Sequence, residues 1–120
     1  MGPVTTSTDS TPTTTTGIAY RVQGAADGIP VVALHGTPGS RFSATPARDA
    51  LHALGLRVLT VDRPGYGDTP GSEVRPAREL AQDVLDVLMH AGVDGPVGLL
   101  AAGGGTPAAV ALVALHPERV

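Results

Sequence analysis

An α/β three-layer sandwich with a mostly parallel sheet is the fold class that this 120-residue sequence predicts. Three strand–loop–helix units follow one another between residues 31 and 115, and their strands (VVAL, LRVLTV and VGLLA) are short apolar runs rather than alternating ones. Such runs mark strands covered on both faces, and right-handed crossovers between them make the strands parallel. Each strand ends in a glycine-rich loop: His35–Ser40, Arg63–Ser72 and Ala102–Gly105. In open sheets of this kind the ligand crevice lies outside the C-terminal strand ends, so the three loops converge where a site is expected. The length suits one domain with a single core.

The elements follow in order. Residues 1–16, MGPVTTSTDSTPTTTT, carry almost no apolar side chains. Ordering them costs entropy with no burial in return, so a disordered Thr/Ser/Pro tail is expected, with the domain proper over 17–120. Ile18, Tyr20 and Val22 alternate with Ala19, Arg21 and Gln23, the pattern of a half-exposed strand. Ala25–Pro30 reads as a Gly/Asp turn before the first buried strand, Val31–Leu34. Ser43–Leu54 predicts a helix, with Ser43 or Thr45 as N-cap, Pro46 in the first turn and Gly55 just past the end. Leu56–Val61 is the second buried strand. Pro76–Ala91 predicts a helix with Leu80, Val84, Leu85, Val87 and Leu88 on one broad face and Gly92 closing it. Asp83, Asp86, Arg75 and Arg78 fall on its solvated side. Val97–Ala101 is the third buried strand, and Thr106–Leu115 an almost wholly apolar helix that Pro117 stops.

Composition removes several function classes. There is no cysteine, so thiolate nucleophiles, disulfides and Cys-ligated metals are out. All eight cations are arginine, which removes phosphate-loop, Schiff-base and general-base lysines. A net charge of −3 argues against a nucleic-acid partner. His52, His90 and His116 show no paired ligand spacing, so no metal is expected. No apolar run approaches the roughly 20 residues of a membrane span, and the N-terminus lacks a secretory signal, so a cytoplasmic location is expected.

The third loop, AAGGG before a helix of small residues, has the shape of a tight strand-to-helix bend. Strand and helix backbones nearly touch there, so the positions two before and two after the apex must be small. An apex at Gly103 places Ala101 and Gly105 at those positions, whereas an apex at Ala102 places the bulky Leu100. Glycine relaxes a backbone that is strained for any residue with a Cβ. Thr106, the nearest hydroxyl, lies three residues past the apex, on the helix, and is aimed elsewhere.

VVALHGTPGS (31–40), VLTVDRPGYGDTP (58–70) and LLAAGGGTPAAVALVALHPERV (99–120) together resemble the N-terminal half of the α/β-hydrolase fold. The resemblance spans residues 17–120. It implies a relation to ester, amide, lactone or epoxide hydrolases, a small-molecule ligand of that chemistry and no cofactor. It further implies an oxyanion hole made by the amides of Thr37 and Gly104, and substrate-facing loops carrying His35, Gly36, Asp62, Arg63 and Tyr66. The bend is then the nucleophile elbow, G-x-S-x-G in shape, with Gly103 in the nucleophile position where the family carries Ser, Asp or Cys. Glycine forms no covalent intermediate.

The acid and the histidine of this fold follow the nucleophile in chain order, so neither falls within residues 1–120. The chain is therefore expected to be inactive alone: a fragment, one half of a split protein or a truncated reading frame. A C-terminal half or partner chain would cover the otherwise open apolar edge of Val97–Ala101. His35 is read as orienting the oxyanion loop through its ring N–H, and Asp62 with Arg63 as a pair that fixes the second loop. A non-catalytic binding or complementation subunit is the alternative, and a deliberate Gly103 substitution that traps a complex is another. A third class, dinucleotide binding, rests on Gly103-x-Gly105-x-x-Ala108 after a strand, but it leaves HGTPGS unexplained.

Overall fold

The computed structural model describes residues 11–43, 48–71 and 75–120. The elements are β1 (Tyr20–Gly24), β2 (Ile29–Leu34), α1 (Arg48–Ala53), β3 (Leu56–Val61), α2 (Ala77–His90), β4 (Gly98–Ala101) and α3 (Thr106–Leu115), with 3-10 turns at Gly103–Gly105 and Pro117–Arg119. The four strands form one sheet in the order β1-β3-β2-β4. β2 is parallel to both neighbours, with Val32 opposite Leu59 on one side and Leu99 on the other. β1 is antiparallel to β3, with Val22 opposite Leu59. The mostly parallel three-layer sandwich is therefore present.

Alternation along the strands sorts side chains onto two faces. Val32, Leu34, Leu59 and Val61 form one core with Ala81, Val84, Val87 and Leu88 of α2 and with Ala108 and Leu112 of α3. Each large apolar side chain buried there contributes roughly 1.5–3 kcal/mol. α1 packs against β1 and β3 outside that cluster and buries Leu51. β2 starts at Ile29, two residues earlier than the apolar run suggested, because the Ile29 amide donates to Gly55 O. Pro30 is tolerated inside it, since β4 begins to pair only at Val31.

Three expectations change. The domain boundary at Gly17 falls inside a packed turn: Thr13 bridges Ala19, Thr14 is buried with its hydroxyl accepting from the Ile18 amide, and the Tyr20 amide donates to Pro12 O. The first ten residues of the proposed tail lie outside the described residues, as do Thr45 and Pro46 of the predicted helix start. Around β1 the predicted faces are partly exchanged, with Ala19 fully buried and Val22 exposed. The returning 11–16 segment covers Ala19, and β1 lies at the sheet edge. Asp83 is buried rather than solvated. Arg75 reaches back to it, and burial pushes its carboxyl above the usual range although Arg75 pulls the other way.

Candidate active site

The three loops meet at the C-terminal ends of β2, β3 and β4, as parallel strands require. Small residues permit the approach. The Ala102 amide donates to Leu34 O at 3.0 Å, tying the end of β4 to the end of β2. A Cβ on Gly105 would stand 2.6 Å from Leu34 O and 2.9 Å from His35 O, so only glycine fits there without backbone movement. A Cβ on Gly104 would collide with Thr37 Oγ1 and stand 2.9 Å from Arg63 Nη2. The chain is extended at Ala102, left-handed at Gly103 (φ +46°) and helical from there on. Gly103 is exposed, and Gly36 Cα, at 3.8 Å, is the one described atom near the place a side chain there would start.

Arg63 joins the loops. Its Nε–H donates to His35 O at 2.9 Å, and Nη2 donates to Gly36 O at 3.2 Å and Thr37 Oγ1 at 2.8 Å. Tyr66 lies under the guanidinium, 4.8 Å from ring centroid to Cζ, and its hydroxyl donates to the same Thr37 oxygen. Of the predicted site residues, His35, Gly36, Thr37, Arg63, Tyr66, Gly103 and Gly104 are thus brought together. Neither the Thr37 nor the Gly104 amide donates to another described residue.

Asp62 stands apart. It is fully buried, and its carboxylate accepts from the Arg41 amide, the Arg41 guanidinium and the Asp68 amide. It holds the second loop rather than facing the crevice. Arg41, which the sequence did not single out, is its partner and also reaches Asp68. A buried arginine opposite a strand-end aspartate leaves no local pattern, because 21 residues separate the two.

His35 is buried with its ring 5.0 Å from that of Tyr66, edge to face. The Arg63 amide donates to Nε2 at 3.1 Å, so that nitrogen is unprotonated, and Nδ1–H donates to Gly36 O at 2.8 Å. Burial lowers the pKa of His35 below its ordinary 6.5. The Gly36 bond opposes that, the Arg63 charge reinforces it, and Asp62 opposes it weakly. The folded protein then binds fewer protons here than the unfolded chain, so this contribution is intact above about pH 6.5 and declines as pH falls toward the lowered value. The stability advantage of the natural protein over His35→Gln is expected to shrink between about pH 7.5 and about pH 5, read as urea midpoints. An advantage that grows on acidification would show instead that the folded protein favours the imidazolium, and the lowered pKa would be rejected.

No protein-family model matches the chain. A solved α/β-hydrolase fold protein from Nakamurella multipartita superposes with a TM-score of 0.71 at 37% identity, covering 92% of this chain and 38% of that one. The chain has the α/β-hydrolase fold, over part of its extent. An epoxide hydrolase from Vigna radiata gives a TM-score of 0.74 at 28% identity, covering 86% of this chain and 34% of that one. Epoxide hydrolase B of Mycobacterium tuberculosis is 34% identical over 108 residues, covering 82% of this chain and 30% of that protein. This hydrolase-fold chain thus spans about a third of the length of the relatives it matches. Among its described residues no helix is long and apolar enough to cross a membrane.

Proposed function

We propose that the three loops form the ligand-binding face of an epoxide- or ester-cleaving α/β-hydrolase site whose nucleophile position is held by Gly103, and that this chain binds its small-molecule ligand without cleaving it. The observation that carries the reading is the Gly103 bend: a left-handed apex with open space above it, flanked by the uncommitted amides of Thr37 and Gly104. In acyl transfer two such donors meet the developing oxyanion, each contributing about 3 kcal/mol to its stabilisation. Arg63 holds residues 35–37 in position by bonding three successive loop acceptors. His35 is spent on loop geometry and serves as neither base nor ligand contact. The epoxide hydrolases among the relatives favour epoxides over amides as the ancestral substrate.

A complete site needs a second contribution, a C-terminal half or partner chain, and the apolar edge is where it would join. Among the described residues β4 pairs with β2 alone; Leu100 is exposed on one face of it, and Val110 and Val113 of α3 are exposed beside Leu99 on the other. Exposed apolar edges of this kind recruit further strands.

The test supplies this chain with the part of Mycobacterium tuberculosis epoxide hydrolase B that the match leaves uncovered. The hybrid carrying Gly103 is expected to be inert, whereas Gly103→Asp opens a chromogenic epoxide and Gly103→Ser cleaves a chromogenic ester, at least about 10³-fold faster than the parent. Equal turnover by the Gly103 hybrid, or a folded Gly103→Asp hybrid inert to epoxides and esters alike, refutes the reading.

A further inference from the structure

We propose that the guanidinium of Arg63 and the hydroxyl of Thr37, set against the Gly103 bend, bind the carboxylate of a small organic acid. This deepens the preceding section and rests on its reading of Gly103 as a vacant nucleophile position.

Arg63 carries five N–H bonds. Nε–H and Nη2 are committed to His35 O, Gly36 O and Thr37 Oγ1, while the two N–H bonds of Nη1 meet no acceptor among the described residues. No described carboxylate lies within ion-pair distance of this guanidinium: Asp62, its chain neighbour, is held by Arg41, and Asp68 pairs with Arg41 as well. The positive charge therefore stands without a counter-ion at the mouth of the loops.

Its placement is specific. Nη2 lies 2.9 Å from the point where a Gly104 Cβ would be, one residue from the bend apex. A side chain at position 104 would expel both Arg63 and Thr37 from this spot, so the glycine keeps the charge at the bend. Thr37 Oγ1 accepts from both Arg63 Nη2 and the Tyr66 hydroxyl, which uses its acceptor capacity and leaves its own hydrogen to donate outward. The Thr37 and Gly104 amides add two further donors without internal partners. The donors left free on Arg63, Thr37 and Gly104 thus stand beside a single positive charge.

A planar monoanion matches one charge and a donor set of this kind, through charge-assisted bonds stronger than neutral ones. A side-chain nucleophile at position 103 would compete for the same space. With glycine there, a carboxylate, the acid that ester cleavage would release, is accommodated instead.

The test is a titration of the full-length chain, followed by amide proton–nitrogen NMR, with benzoate, methyl benzoate, benzyl alcohol and inorganic phosphate. Benzoate is expected to move the Thr37, Gly103 and Gly104 signals saturably, and the other three are not. Arg63→Gln should weaken benzoate binding about ten-fold or more, and Arg78→Gln should leave it unchanged. Thr37→Val, at an exposed position, is expected to weaken it several-fold and serves if Arg63→Gln does not fold. Equal binding of the methyl ester or of phosphate, saturable shifts confined to another surface, or unchanged affinity in both Arg63→Gln and Thr37→Val would overturn the proposal. Benzoate binding at these amides alongside an inert Gly103→Asp hybrid would refute the nucleophile reading and leave the carboxylate site standing. Turnover by that hybrid with no benzoate binding in the natural chain would do the opposite.

Discussion

Replacing Asp62 with alanine is expected to cost about 3–5 kcal/mol, the scale of breaking a buried ion pair by removing one partner. The carboxylate is fully buried. Its loss leaves the buried Arg41 guanidinium with only the exposed Asp68 as a carboxylate partner among the described residues, and strands the amides of Arg41 and Asp68. Gly67 is coupled to the same group, because a Cβ there would run into the Asp62 carboxylate. The second loop and the start of the 41–43 turn thus share one anchor. Against a typical domain stability of roughly 5–15 kcal/mol the loss is large, and it should appear as a fall in the urea midpoint. Asp62→Asn keeps one acceptor oxygen and should fall between the two. A midpoint within error of the natural protein for Asp62→Ala would show that solvent replaces the carboxylate, and the anchor would be discounted.

Gly105→Ala is the second large effect. The added methyl would meet two main-chain oxygens, Leu34 O at 2.6 Å and His35 O at 2.9 Å, neither on a side chain that can turn aside. The N-terminus of α3 must then back away from the end of β2, at about 1–3 kcal/mol for overpacking. The displacement reaches function as well as stability, because it separates Gly104 from Thr37 and Arg63. Lower thermal stability and shifted Leu34 and His35 amide signals are expected together. Gly103→Ala provides the contrast: it has open space, and its cost is the left-handed backbone alone, about 1–2 kcal/mol. If Gly103→Ala proved the more damaging of the two, crowding would not be the reason for glycine at 105.

Much of this was written in local pattern. The apolar runs announced strands β2, β3 and β4, although β4 is not covered on both faces as its run implied, with Gly98 and Leu100 exposed, and α3 occupies the predicted Thr106–Leu115. Gly103 is the left-handed residue at the bend, where the small neighbours Ala101 and Gly105 had placed the apex. These succeed because backbone sterics and strand burial act within a few residues of the chain.

Only the tertiary structure decided which side chains meet. The order β1-β3-β2-β4, with β1 antiparallel, sets the 11–16 segment over Ala19 and buries a threonine that composition assigned to a tail. Asp83 belongs on a polar helix face until Arg75 closes over it. Arg41 finds Asp62 across 21 residues, and Arg63 reaches Thr37 across 26. Composition and periodicity report whether a position faces water or core. They carry nothing about which distant charge will stand beside it, because that is settled by strand order and by where glycine lets two backbones touch.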